Sequence, residues 1–304
     1  MRRRQLILLL LIIFMFFVPL ACTTGPEKAK DDLAKMDIAF TEDTFVQKAW
    51  QGDVEAVRLF LQAGMDPNVI DQKKNTALIL AAKEGHTEVV RVLLEGGADI
   101  EAIDYNFGGP PLIWAALGGH TQTAKLLVDK GADLSAGENK NGMTALHLAA
   151  AKGNIETVKI ILEAGADVDS MDKDGRTPLM WAAHTGHTDT VSFLLDRGAD
   201  IEAKDTKAGV TALISASTTG RTETVRVLLD RGAEIDARDN DGKTALIMAA
   251  FLGRTQTLKL LLERGADVNA EDNGGRTALS LAKDFVRTNI VEILLNAGAV
   301  KKAK

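Results

Sequence analysis

Few side chains in this sequence could do chemistry, and most of them recur at a fixed interval. His86, His120 and His187 each follow a glycine and precede a threonine, at corresponding points of a repeating pattern. A catalytic imidazole needs a serine or cysteine to activate, or a carboxylate to orient it. A histidine copied together with its neighbours is better read as a structural position. His147 and His184 stand outside that phrase, and His184 falls just past Ala182-Ala183, where a side chain can face outward. Neither has a placed nucleophile or carboxylate partner. Cys22 is the only cysteine, so the chain has no zinc-spaced Cys/His set and no internal disulfide. A Walker-type phosphate loop is absent too. Asp172, Asp174 and Gly175 share a few letters with a calcium loop, but the bidentate glutamate it needs is missing. No catalytic residue, cofactor or metal is expected.

The elements that must position these residues show themselves by repetition. Gly97-Ala98-Asp99 returns as Gly131-Ala132-Asp133, Gly165-Ala166-Asp167, Gly198-Ala199-Asp200, Gly232-Ala233-Glu234 and Gly265-Ala266-Asp267, at intervals of 33 or 34 residues. A second phrase keeps the same beat: Thr76-Ala77-Leu78 with Ala81-Ala82, Pro110-Pro111-Leu112 with Ala115-Ala116, Thr144-Ala145-Leu146 with Ala149-Ala150, and four more through Thr277-Ala278-Leu279. The threonine stands where a helix N-cap would, and the paired alanines give a short helix a thin flank for close stacking. Gly85 ends that helix. A second begins near Thr87, and Val89, Val90, Leu93 and Leu94 form its apolar stripe. Gly97 then supplies a left-handed cap. A polar loop such as Asp172-Lys173-Asp174-Gly175-Arg176 joins one unit to the next and suits a tight hairpin turn. One such unit cannot hide its own stripe, so neighbours must stack.

Together the two phrases resemble the ankyrin repeat, whose Thr-Pro-Leu-His-x-Ala signature is closest at residues 144–149 and 177–183. His147 occupies the signature histidine position. The resemblance implies an all-α solenoid of about eight helix-turn-helix units with β-hairpin fingers, over residues 42–301, with units near 42–73, 74–107, 108–141, 142–174, 175–208, 209–241, 242–274 and 275–301. Lys48, and at the other end Lys283 and Val286, replace small residues of the inner units, as capping units require. In this family partners dock on the concave face of fingers and first helices. Carried over position by position, that face gives Tyr105, Phe107, Leu117, Met143, Arg176, His184, Lys243, Phe251 and Leu252 as candidate partner-binding residues, with Phe107 and Phe251 as apolar anchors. Trp114 and Trp181 share the position of Leu148 and are expected to pack.

Composition agrees with small aliphatic interfaces: 46% of residues are hydrophobic, 5% aromatic, and 27 are glycine. The formal charge is −6 and the chain has no basic stripe, which argues against nucleic acid as a partner.

The N-terminus carries a separate message. Arg2-Arg3-Arg4 precedes 13 consecutive apolar residues, 6–18, and then Pro19-Leu20-Ala21-Cys22. A basic start, a short apolar run and a small residue before the break describe a secretory signal peptide, whereas a membrane-spanning helix usually takes about 20 residues. Ala21-Cys22 resembles the lipobox of a bacterial lipoprotein, although Pro19 and Leu20 depart from its usual pattern. That resemblance implies a signal at residues 1–21, acylation of Cys22, and a tether at 22–41 in which residues 31–39 form a weak helix. The expected protein is a monomeric, non-catalytic adaptor, exported and membrane-anchored through Cys22, that binds another protein. Two alternatives stay open: an inhibitor or immunity-type protein blocking an exported enzyme, and an intracellular adaptor with an uncleaved N-terminal anchor.

Overall fold

The computed structural model of the chain describes residues 25–300. Each unit begins with a short helix: α2 (Glu42–Gln51), α4 (Ala77–Glu84), α6 (Pro111–Gly118), α8 (Ala145–Lys152), α10 (Pro178–Thr185), α12 (Ala212–Thr219), α14 (Ala245–Leu252) and α16 (Ala278–Asp284). Each is followed by a second helix: α3 (Val54–Gln62), α5 (Thr87–Glu95), α7 (Thr121–Asp129), α9 (Ile155–Glu163), α11 (Thr188–Asp196), α13 (Thr222–Asp230), α15 (Thr255–Glu263) and α17 (Thr288–Asn296). The sequence places the boundaries as expected. Thr76, Thr177, Thr211 and Thr244 accept a hydrogen bond from the backbone N–H three residues on. The third unit uses proline at the first helical position instead. Gly85 stops α4 in the left-handed region at φ 77°. At the end of α5, the N–H groups of Gly97 and Ala98 turn back onto Leu94 and Leu93.

First helices pack on first helices and second on second, giving two layers with the alanine flanks between them. Ala81, Ala82, Ala115, Ala116, Ala149 and Ala150 are fully buried, so adjacent helices approach closely. One continuous core runs from Leu33 to Ala299. Polar rungs tie each unit to the next. His86 Nε2 donates to Trp50 O at 2.9 Å and His120 Nε2 to Lys83 O at 2.8 Å, and Asn154, Arg221 and Arg254 make the equivalent bond in later units. His86 and His120 thus serve the stack. His147 does likewise: its Nδ1 accepts from the Thr144 N–H and its Nε2 donates to Arg176 O at 3.0 Å. Burial, the main cause, holds His147 below its ordinary pKa, in keeping with a neutral ring.

Two expectations need correction. The fingers form no strands among the described residues; only single bridges join Ile70 to Thr76, Gly137 to Thr144 and Glu271 to Thr277. A carboxylate at the finger base gathers the backbone N–H groups instead, as Asp172 does for Asp174 and Arg176 at 2.9 Å each. The second correction concerns the tether. Part of it is α1 (Pro26–Lys35), which starts earlier than expected and buries Ala29 and Leu33 against α3. The apolar pair Ala29 and Leu33, spaced by four, gives α1 one narrow sticky face. No described helix is long and apolar enough to cross a membrane. The signal expected at residues 1–21 and Cys22 lie outside the described residues.

Candidate functional site

The fingers and first helices share one face, and on it two cavities adjoin. The larger, about 200 Å³, is lined by Arg176, Met180, Trp181, His184, Val210, Ser215 and Met248, with Asp205 and Asp239 from the fingers. The smaller, about 80 Å³, is lined by Lys243, Ile247, Met248, Phe251, Arg276 and Leu281. Met248 belongs to both. Four of the expected residues, Arg176, His184, Lys243 and Phe251, are therefore brought into one groove across units five to eight.

Local rules set that groove. Trp181 sits four residues past the cap Thr177, and its indole N–H donates to Asp172 Oδ2 at 2.9 Å while the Arg176 guanidinium lies 5.2 Å from the ring centroid. This satisfies the finger carboxylate. Trp114 repeats the arrangement in unit three, donating to Asp104 Oδ2 at 3.1 Å. His184 shares a 3.3 Å hydrogen bond with Ser215 Oγ. Desolvation, and then the nearby guanidiniums of Arg176 and Arg221, lower its pKa, so the ring is neutral at pH 7. No group of three or more His, Cys, Asp and Glu placed to hold a metal is found among the described residues.

The remaining expected residues fare differently. Met143 is buried, at 6% exposure, and offers no surface to a partner; an apolar side chain just before the cap folds under its finger. Phe107 is half-buried with its ring 5.3 Å from Trp114, and Phe251 is half-buried against Phe285 at 4.7 Å, so neither is the free anchor expected. Leu117 and Leu252 are half-buried as well. Tyr105 is exposed at 69%, with Lys74 Nζ 3.8 Å over its ring, but it lies in unit three, away from the groove. Sequence reasoning missed Asp205, Asp239, Ser215 and Met248. The signal was available in the register: Leu80, Trp114, Leu148, Trp181, Ser215, Met248 and Leu281 are equivalent positions, and Ser215 is the one small residue among them.

Stacked helix pairs, glycine-capped and threonine-capped in register, with a finger-lined face, define a repeat solenoid of the protein-recognition kind. The family model described as ankyrin repeats (3 copies) matches residues 45–138, 104–172, 135–205, 165–239, 202–272 and 234–304. The chain belongs to the ankyrin-repeat family. That membership implies a protein-protein interaction module. Comparison with curated proteins finds no match.

Proposed function

We propose that this ankyrin-repeat chain is a non-catalytic, monomeric adaptor that binds another protein through the groove of units five to eight, held at a bacterial membrane by an acylated Cys22. The observation carrying the binding site is the convergence of Arg176, Trp181, His184, Lys243 and Phe251 around two adjoining cavities on the finger face. Aromatic and arginine side chains beside concave apolar space are what interface hot spots are built from. The anchoring part rests on the basic start, the 13-residue apolar run and Ala21-Cys22.

Affinity capture with the full chain from envelope extracts tests the first part. Trp181→Ala with Phe251→Ala is expected to release the captured protein, and retention at unchanged affinity refutes docking in the groove. Mass spectrometry of the purified mature chain tests the second. An acylated fragment beginning at Cys22 is expected, and an intact Met1 refutes the lipoprotein reading.

A further inference from the structure

Every finger leading into units two to eight has a carboxylate at its base: Asp71, Asp104, Glu138, Asp172, Asp205, Asp239 and Asp272. One oxygen collects backbone N–H groups of the turn, and in five of the seven fingers the other oxygen also receives a donor from its own unit. Asn75 Nδ2 serves Asp71, Trp114 Nε1 serves Asp104, the Lys140 N–H serves Glu138, Trp181 Nε1 serves Asp172, and Arg276 Nε serves Asp272. Asp205 and Asp239 are the exceptions. Asp205 Oδ1 accepts from the Ala208 N–H, and Asp239 Oδ1 from Asp241 and Lys243, but neither Oδ2 receives a hydrogen bond among the described residues. Arg176 Nε pairs electrostatically with Asp205 Oδ2 at 3.8 Å, too long for a hydrogen bond. The Asp205 side chain is only 4% exposed. A carboxylate that deep normally has its lone pairs filled.

The reason is one small residue. Units three and five place tryptophan four residues past the cap, and its indole reaches the finger carboxylate. Unit six has Ser215 there, too short to reach Asp205, and unit seven has Met248, which has no N–H to give. The space the serine leaves is the 200 Å³ cavity, and both unfilled carboxylates line it.

Resting on the recognition role proposed above, we infer that this cavity is a socket for an arginine side chain of the partner polypeptide. Two carboxylates against one guanidinium, Arg176, leave the socket net negative. Arg221 is not among the residues lining the cavity; its Nε donates to His184 O at 3.3 Å. A planar guanidinium has five N–H donors in a rigid fork, enough to serve Asp205 and Asp239 together, while its face stacks on Trp181 and its stem lies along Met180 and Met248. A lysine ammonium has neither the planarity nor the span. The chain's formal charge of −6 favours association with a basic partner.

The test is a titration of the full chain, labelled with 15N-tryptophan, with the tripeptide Ac-Ala-Arg-Ala-NH2 and with Ac-Ala-Gln-Ala-NH2 as the neutral control. The arginine peptide is expected to shift the Trp181 indole resonance saturably, with a dissociation constant of about 1–10 mM, and the glutamine peptide to leave it in place. Ser215→Trp installs the residue of units three and five, and should weaken the response at least about tenfold. Ser215→Ala keeps the cavity and should respond within about twofold of the parent. The Trp114 resonance reports whether the stack is intact; should Ser215→Trp disrupt it, Ser215→Met, the residue of unit seven, replaces it with the same expected loss. Equal shifts with both peptides, or an undiminished response in the filled variant, overturn the socket. If the filled variant binds the captured protein unimpaired while Trp181→Ala with Phe251→Ala releases it, the socket alone falls and the recognition face stands.

Discussion

Alanine at Gly85 and alanine at Gly97 share a backbone penalty and differ in one contact, which makes the pair a measure of how closely neighbouring units approach. Both glycines lie in the left-handed region, at φ 77° and 89°. A Cβ there costs about 1–2 kcal/mol for any L-residue. Around Gly97 a Cβ would meet nothing within 4 Å, so Gly97→Ala should lose that amount and no more. At Gly85 the Cβ would sit 2.6 Å from Cγ of His120, whose ring must move. Overpacking costs about 1–3 kcal/mol, and a displaced ring loses its 2.8 Å bond to Lys83 O, worth about 0.5–1.5 kcal/mol. His120 is half-buried, which favours the low end of each range. Gly85→Ala is therefore expected to cost about 2 kcal/mol more than Gly97→Ala. Urea denaturation followed by circular dichroism measures both, and His120→Ala in the Gly85→Ala background should recover about 1 kcal/mol through coupling of the two sites. Equal losses for the two glycines, or strict additivity in the double variant, refute the argument that the rung sets the spacing.

Other outcomes follow from the same contacts. His147 is neutral and held below its ordinary pKa of 6.5 by burial, so below that pH the unfolded chain binds the proton that the folded chain refuses. Stability should fall as pH drops from 6.5, by at most about 1.4 kcal/mol per pH unit from this group, and the denaturant midpoint of His147→Gln should fall less over pH 7.5 to 5.5. Trp181→Phe keeps most of the packing but strips the donor from Asp172 Oδ2; thermal melts should show a loss of about 1–3 kcal/mol. Leu33→Ala empties the contact that holds α1 on α3, where Leu33 is 1% exposed; about 2–3 kcal/mol should be lost from docking, and trypsin should cut at Lys28 or Lys35 sooner than in the parent. Unchanged cleavage would mean that α1 is held by something other than this leucine.

What could be foreseen was what a single unit decides for itself. Thr76 caps its helix and Gly85 and Gly97 end theirs because those effects are settled within three or four residues. The period then multiplies one local solution eight times. Contacts decided between units were harder to see. Phe107 and Phe251 turn inward because Trp114 and Phe285 are there to receive them, and no spacing rule announces an aromatic neighbour 34 residues away or in another layer. Met143 has the same address as Arg176 and Lys243, yet those snorkel outward while it folds under. The early start and the docking of helix α1 were not legible because its apolar face is only Ala29 and Leu33, too sparse a stripe to stand out among lysines and aspartates. The finger turns were legible as turns, but the carboxylate that organises each one does its work with a single oxygen. What the second oxygen binds varies from finger to finger, a residue two to four positions on at Asp71, Glu138 and Asp272 and an indole nine or ten positions on at Asp172 and Asp104.

The docking of α1 alters what an acyl chain on Cys22 would accomplish. A free segment from 22 to 41 would let the stack wander well away from the lipid; instead only Thr23, Thr24 and Gly25 separate the cysteine from Pro26. Four residue steps extend to at most about 14 Å. An acylated chain would then keep its first unit close to the headgroups, while the socket proposed for units five to seven belongs to the part of the stack farther along the chain from the anchor.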